Sequence, residues 1–78
     1  MESGIMWLDN DEKVEITIKL NNAAKYYFNR YGCRPNICFV HPSMLPEGLS
    51  LYNGIRLIAS SSIIPFHFWI GIQKKEQV

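Results

Sequence analysis

Between Pro35 and Gln73 this chain carries two formally charged residues, Glu47 and Arg56. A charge-poor stretch of that length cannot stay in water as an open coil of apolar side chains. It has to be buried, in its own core or against another molecule. The charges lie on the other side of Pro35: Glu2, Asp9, Asp11 and Glu12 make the opening twelve residues acidic, and Lys13, Lys19, Lys25, Arg30 and Arg34 against Glu15 make the next stretch mildly basic. The net charge of +1 leaves no strongly basic face, so binding driven mainly by phosphate neutralisation is not expected.

With 78 residues, 47% of them hydrophobic and 13% aromatic, the composition is that of one small folded domain over residues 1–78. The acidic segment 1–12 and the polar residues 74–78 are expected to fray. No apolar run approaches the roughly 18 residues that span a bilayer, and Met1-Glu2-Ser3-Gly4 lacks the basic start of a secretory signal, which points to the cytoplasm. Cys33 and Cys38 are too few to staple a secreted scaffold and read as free thiols.

Lys13 to Leu20 alternates Val14, Ile16, Ile18 and Leu20 with polar residues, which reads as a half-buried strand. A helix starting as early as Asp11 competes with it, because Ile16, Leu20, Ala23, Tyr27 and Tyr31 share a helical face. On the strand reading, Asn21 or Asn22 caps a helix whose buried stripe is Ala23, Ala24, Tyr27, Phe28 and Tyr31, and Gly32 closes it before Pro35. Ile37 to His41 is a second strand. A long loop follows, with a turn of helix on Met44, Leu45 and Leu49, and then Ile55–Ala59 and Phe66–Ile72 as third and fourth strands. The expected architecture is α+β: one helix on a mixed sheet of about four strands, in the order β-α-β-β-β. On the last strand Phe66, Phe68, Ile70 and Ile72 point inward and His67, Trp69 and Gly71 outward. One helix covers one face only.

Cys33, Cys38, His41 and His67 are the candidate metal ligands. The four residues between the cysteines depart from a close zinc knuckle, and Cys38 and His41, three apart in a strand, face opposite ways. A buried cysteine, a loop cysteine and two structural histidines are the simpler reading, and no metal or cofactor is expected. Thiol catalysis would need an oriented histidine, yet the acids cluster in the first fifteen residues and no nucleophile elbow or phosphate-binding glycine loop occurs, so no enzyme is expected. Trp69, Tyr26, Tyr27, Tyr31 and Phe39 with Lys25, Arg30 and Arg34 would be the groups of a single-strand nucleic-acid binder, the alternative function, and a small zinc domain is a third.

Pro35-Asn36-Ile37-Cys38-Phe39-Val40-His41-Pro42, Gly54-Ile55-Arg56-Leu57-Ile58-Ala59-Ser60, Ile64-Pro65 and Phe68-Trp69-Ile70-Gly71 fall within residues 35–71, about half the chain. This pattern resembles a segment of phage head proteins and small phage-derived proteins of unknown function. A strand ending in a polar residue and proline precedes a glycine-led strand, a serine, a proline turn and a strand closing on glycine. The resemblance implies a structural or assembly role and no catalytic residues. The expected function is thus a non-enzymatic interaction module that self-associates or docks on another protein through an apolar sheet face, with Trp69, His67 and Arg56 as its contact residues. Protein, including a homo-oligomeric copy of itself, is the expected partner, ahead of nucleic acid or membrane.

Overall fold

In a computed structural model that describes residues 3–73, the chain begins with a strand, β1 (Ser3–Leu8), and continues into one long helix, α1 (Ile16–Tyr31). Strand β2 (Ile37–Val40), a 3-10 turn at Pro42–Met44, a hairpin of β3 (Leu51–Tyr52) and β4 (Ile55–Ala59), and β5 (His67–Ile72) complete it. The class is the expected α+β, one helix on a mixed sheet, with five strands rather than four. Residues 74–78, expected to fray, lie outside the described residues.

Two corrections concern the first third of the chain. Part of the acidic opening segment is an ordered strand, and Lys13–Leu20 is not a strand but runs into α1. Both have one cause. The place at the sheet margin beside β5 is filled by β1, and Ile16, Leu20, Ala23 and Tyr27 form a single helical stripe that buries Leu20, Ala23 and Tyr27 completely or nearly so. Ile18, inward-facing on the strand reading, stays half exposed. Asp9 and Asp11 turn the chain between the two elements: the Asp9 carboxylate accepts from the Asp11 N–H at 3.1 Å, and that of Asp11 from the Lys13 N–H at 3.0 Å. Glu15 takes the N-cap place without a side-chain cap bond.

Lengthening the helix also moves its stripe. Phe28 and Tyr31, expected in the core, are each 48% exposed. Asn21, expected as a cap, sits inside the helix and holds the β3–β4 hairpin, donating to the Tyr52 hydroxyl and accepting from the Asn53 side chain, both at 3.2 Å. The helix ends at Gly32, in the left-handed region at φ 75°, whose N–H donates to the Phe28 carbonyl at 2.8 Å. The hairpin turns on Asn53 and Gly54, with φ 50° and 80°, the backbone that a two-residue turn of matching twist requires.

The sheet order is β1-β5-β2-β4-β3. Strand β5 is antiparallel to both β1 and β2, so those two run the same way with β5 between them, and α1 crosses over from one to the other. Strands β2 and β4 pair in parallel. The helix covers one face, where Leu20, Ala23 and Tyr27 meet Cys38, Val40, Ile55, Leu57, Phe68 and Ile70, flanked by Ile5, Trp7, Ile16 and Ile72. The inward set on β5 is as expected for Phe68, Ile70 and Ile72, whereas Phe66 precedes the strand at φ 69°.

Among the described residues one basic side chain enters this interior. Lys19 is 2% exposed, and its ammonium donates to the Asp9 carbonyl at 3.1 Å with the Asp9 carboxylate at 3.8 Å.

Candidate interaction surface

Period-two alternation sends every other residue of the sheet away from α1. Cross-strand register then assembles those residues into rows. Met6, Trp69, Phe39 and Ile58 stand side by side across β1, β5, β2 and β4; beside them run Gly4, Gly71, Ile37 and Arg56, with Leu51 beyond on β3. Leu8 stands next to His67 on the far side.

Trp69 is the centre of this face. It is flanked by Met6 and Phe39, its ring centroid is 5.6 Å from that of Phe39 with the planes tilted by 54°, and its indole lies over the bare backbone of Gly4. Burial across the face is uneven: Ile37, 1% exposed, and Gly71 are buried, and exposure rises from Trp69 toward the β1 and β3 margins. Trp69, Phe39 and Ile58 are half-buried, whereas Met6 is 53%, Leu8 58% and Leu51 62% exposed. Arg56, exposed, is the one formally charged residue in these rows. Trp69, His67 and Arg56, the three expected contact residues, therefore share this face: tryptophan in the middle, histidine and arginine toward opposite margins. Sequence reasoning missed Met6 and Leu8, which belong to a strand it did not assign. An alternation of Gly4, Met6 and Leu8 with Ile5 and Trp7 was the available signal.

The candidate metal ligands do not converge. Cys38 is buried against the helix, where desolvation pushes its thiol up to about 12, and Cys33 is exposed after the helix end. His41 Nδ1 accepts from the Ser43 N–H at 3.1 Å, capping the 3-10 turn, while the Nδ1–H of His67 donates to the Pro65 carbonyl at 3.1 Å. Among the described residues no three His, Cys, Asp or Glu side chains are grouped to hold a metal ion.

The basic residues that a nucleic-acid reading would use, Lys25, Arg30 and Arg34, lie elsewhere. Lys25 and Arg30 are on α1, across the sheet from Trp69, and Arg34 reaches the Asn53 carbonyl at 3.4 Å. A groove of about 700 Å³ opens at the start of α1, walled by Val14, Ile16, Met44, Leu49 and Phe66 with Glu12 at its rim. No helix among the described residues is long and apolar enough to cross a membrane.

Comparison with protein-family models, with curated proteins and with solved structures finds no match to this chain.

Proposed function

We propose that this chain is a non-enzymatic protein-interaction module that binds through the sheet face opposite α1. One observation carries the reading: among the described residues a five-stranded sheet has a single helix for cover, and the face opposite it presents an aromatic pair, Phe39 and Trp69, ringed by Ile58, Met6 and Leu8 with Arg56 at the margin. A central tryptophan, aliphatic surroundings and an arginine rim are the composition of a protein-binding patch, in which Trp and Arg supply most of the energy. On so small a molecule an apolar area of this kind calls for a partner. The structural or assembly role implied by the likeness to phage head proteins agrees with this reading.

A nucleic-acid reading draws less support. The stacking pair is there, but among the described residues Arg56 is the one cation in its rows, while Lys25 and Arg30 stand on α1 across the sheet.

Sedimentation and a hydrophobic dye test the proposal. At about 100 μM, where even a weak complex is populated, the folded protein should associate through this face or bind the dye there, and Ile58→Lys should abolish the dye uptake and any face-mediated association while leaving the circular dichroism unchanged. A compact monomer that takes up no dye would overturn it.

A further inference from the structure

Among the described residues the sheet has two outer strands, and they differ in kind. Strand β3 is two residues long and makes a poor template, whereas β1 offers six, Ser-Gly-Ile-Met-Trp-Leu, in unbroken register with β5. Exposed edges are ordinarily blunted by lysine, proline, a bulge or brevity. Strand β1 has none of these.

The hydrogen-bond phase of the ladder tells which of its backbone groups are unused by the sheet. The Asp9 N–H donates to the Phe66 carbonyl at 3.0 Å, which makes that pair hydrogen-bonded. Alternate pairs inward from it share that character, namely Trp7 with Phe68, Ile5 with Ile70 and Ser3 with Ile72. Gly4, Met6 and Leu8 therefore turn N–H and C=O away from β5, along the edge. These three outward residues are centred on Met6 and complement themselves. An antiparallel copy related by a two-fold axis at Met6 sets Met6 against Met6, Gly4 against Leu8 and Leu8 against Gly4, with two hydrogen bonds at each pair. Shifting the register by two residues leaves one of the three without its counterpart. Shifting it by one meets groups already bonded to β5.

Side chains fit the same axis. Leu8 of the second copy falls opposite Gly4, where no side chain competes and the Trp69 indole forms the wall, and the two Met6 side chains meet on the uncovered face. Asp9 falls opposite Ser3, so no pair of like charges is opposed.

We propose that a second copy of this chain docks on the edge of β1, two-fold about Met6, giving one continuous sheet through both protomers. This names a partner for the interaction module and rests on that reading; it shares Met6 and Leu8 with the sheet face but adds backbone pairing along the strand edge, and the Met6 amide, which only edge pairing would tie up, tells the two apart. Amide hydrogen exchange followed by NMR across a concentration series, with sedimentation alongside, tests it on the unaltered protein. As the dimer forms, the Gly4, Met6 and Leu8 amides should slow by at least about tenfold, while Ile5 and Trp7 are slow throughout. A dimer whose Met6 amide stays fast would overturn the edge and leave the face standing. A monomer at every concentration would overturn the edge whichever way its amides exchange, since a slow Met6 amide there would mean that another part of this chain occupies it. As a second test, Met6→Lys and Met6→Glu should each be monomeric and form a dimer when mixed, because the axis sets residue 6 against itself. Failure of the mixture to dimerise would remove the two-fold arrangement.

Discussion

Trp69 lies across the backbone of Gly4, its diagonal neighbour on the adjacent strand. A Cβ built on Gly4 would stand 2.7 Å from both Cε2 and Cη2 of the indole and closer still to Cζ2. The rigid ring has to move for any side chain to enter, so Gly4→Ala should cost about 1–3 kcal/mol, the range for overpacking a filled site. In combination with Trp69→Ala the penalty should largely vanish, a coupling that a double-mutant cycle of denaturation midpoints would measure. Additive losses would mean that the indole does not roof Gly4.

Ile70 and Trp69 are consecutive on β5 and face opposite ways. Ile70 is fully buried beneath α1, so Ile70→Ala should remove about 2–5 kcal/mol and leave much of the protein unfolded at ambient temperature. Trp69→Ala removes a half-buried ring on the uncovered face and should cost less than Ile70→Ala while abolishing face-mediated binding. Thermal melts of the two variants check the order, and its reversal would mean that the strand faces are exchanged.

How far these faces could be read from the sequence depended on competing patterns. On β5, alternation of Phe68 and Ile70 with His67 and Trp69 is unambiguous, and it separates the buried face of the strand from the opposite one. At Val14–Leu20 the alternation is equally clean but deceptive: Ile16 and Leu20 also belong to a helical stripe, and only the presence of β1 beside β5 decides between them. That strand was hidden because four acids in the first twelve residues mark the segment as solvated, although Asp9 and Asp11 serve the turn that follows it. The β1 edge was illegible for the same reason, since it is defined by pairing and not by residue type.

Lys19 enters the interior as a charge with a long apolar stem, held by the Asp9 carbonyl and the more distant carboxylate. A buried ammonium gives little net stability even when paired. Lys19→Met keeps the volume and removes the charge, and should unfold within about 1 kcal/mol of the unaltered protein. Asp9→Ala leaves the ammonium without its counter-charge and takes away the acceptor of the Asp11 N–H; with Asp9 partly exposed, a loss of about 1–3 kcal/mol is expected. Urea denaturation of both variants would show it, and a methionine variant much less stable than the alanine one would refute this account of the pair.

Cys38 and Cys33 should differ in reactivity and in their effect on stability. At mildly alkaline pH a thiol reagent should modify Cys33 in the native protein and reach Cys38 only after denaturation, because the first is exposed and the second buried. Burial raises the Cys38 thiol from an ordinary 9.0 to about 12. The folded state then keeps this proton where the unfolded chain has lost it. The contribution of Cys38 is complete below about 9 and is lost as pH rises toward 12, by up to about 1.4 kcal/mol for each pH unit in that window. Other groups titrate there as well, so the measurement is a difference: denaturation midpoints of the unaltered protein and of Cys38→Ala at pH 8, 9 and 10. Stability of the alanine variant should fall less steeply above pH 9 than that of the unaltered protein. Parallel slopes would mean that the thiol ionises in the folded chain as readily as in water, and that Cys38 is not sealed beneath the helix.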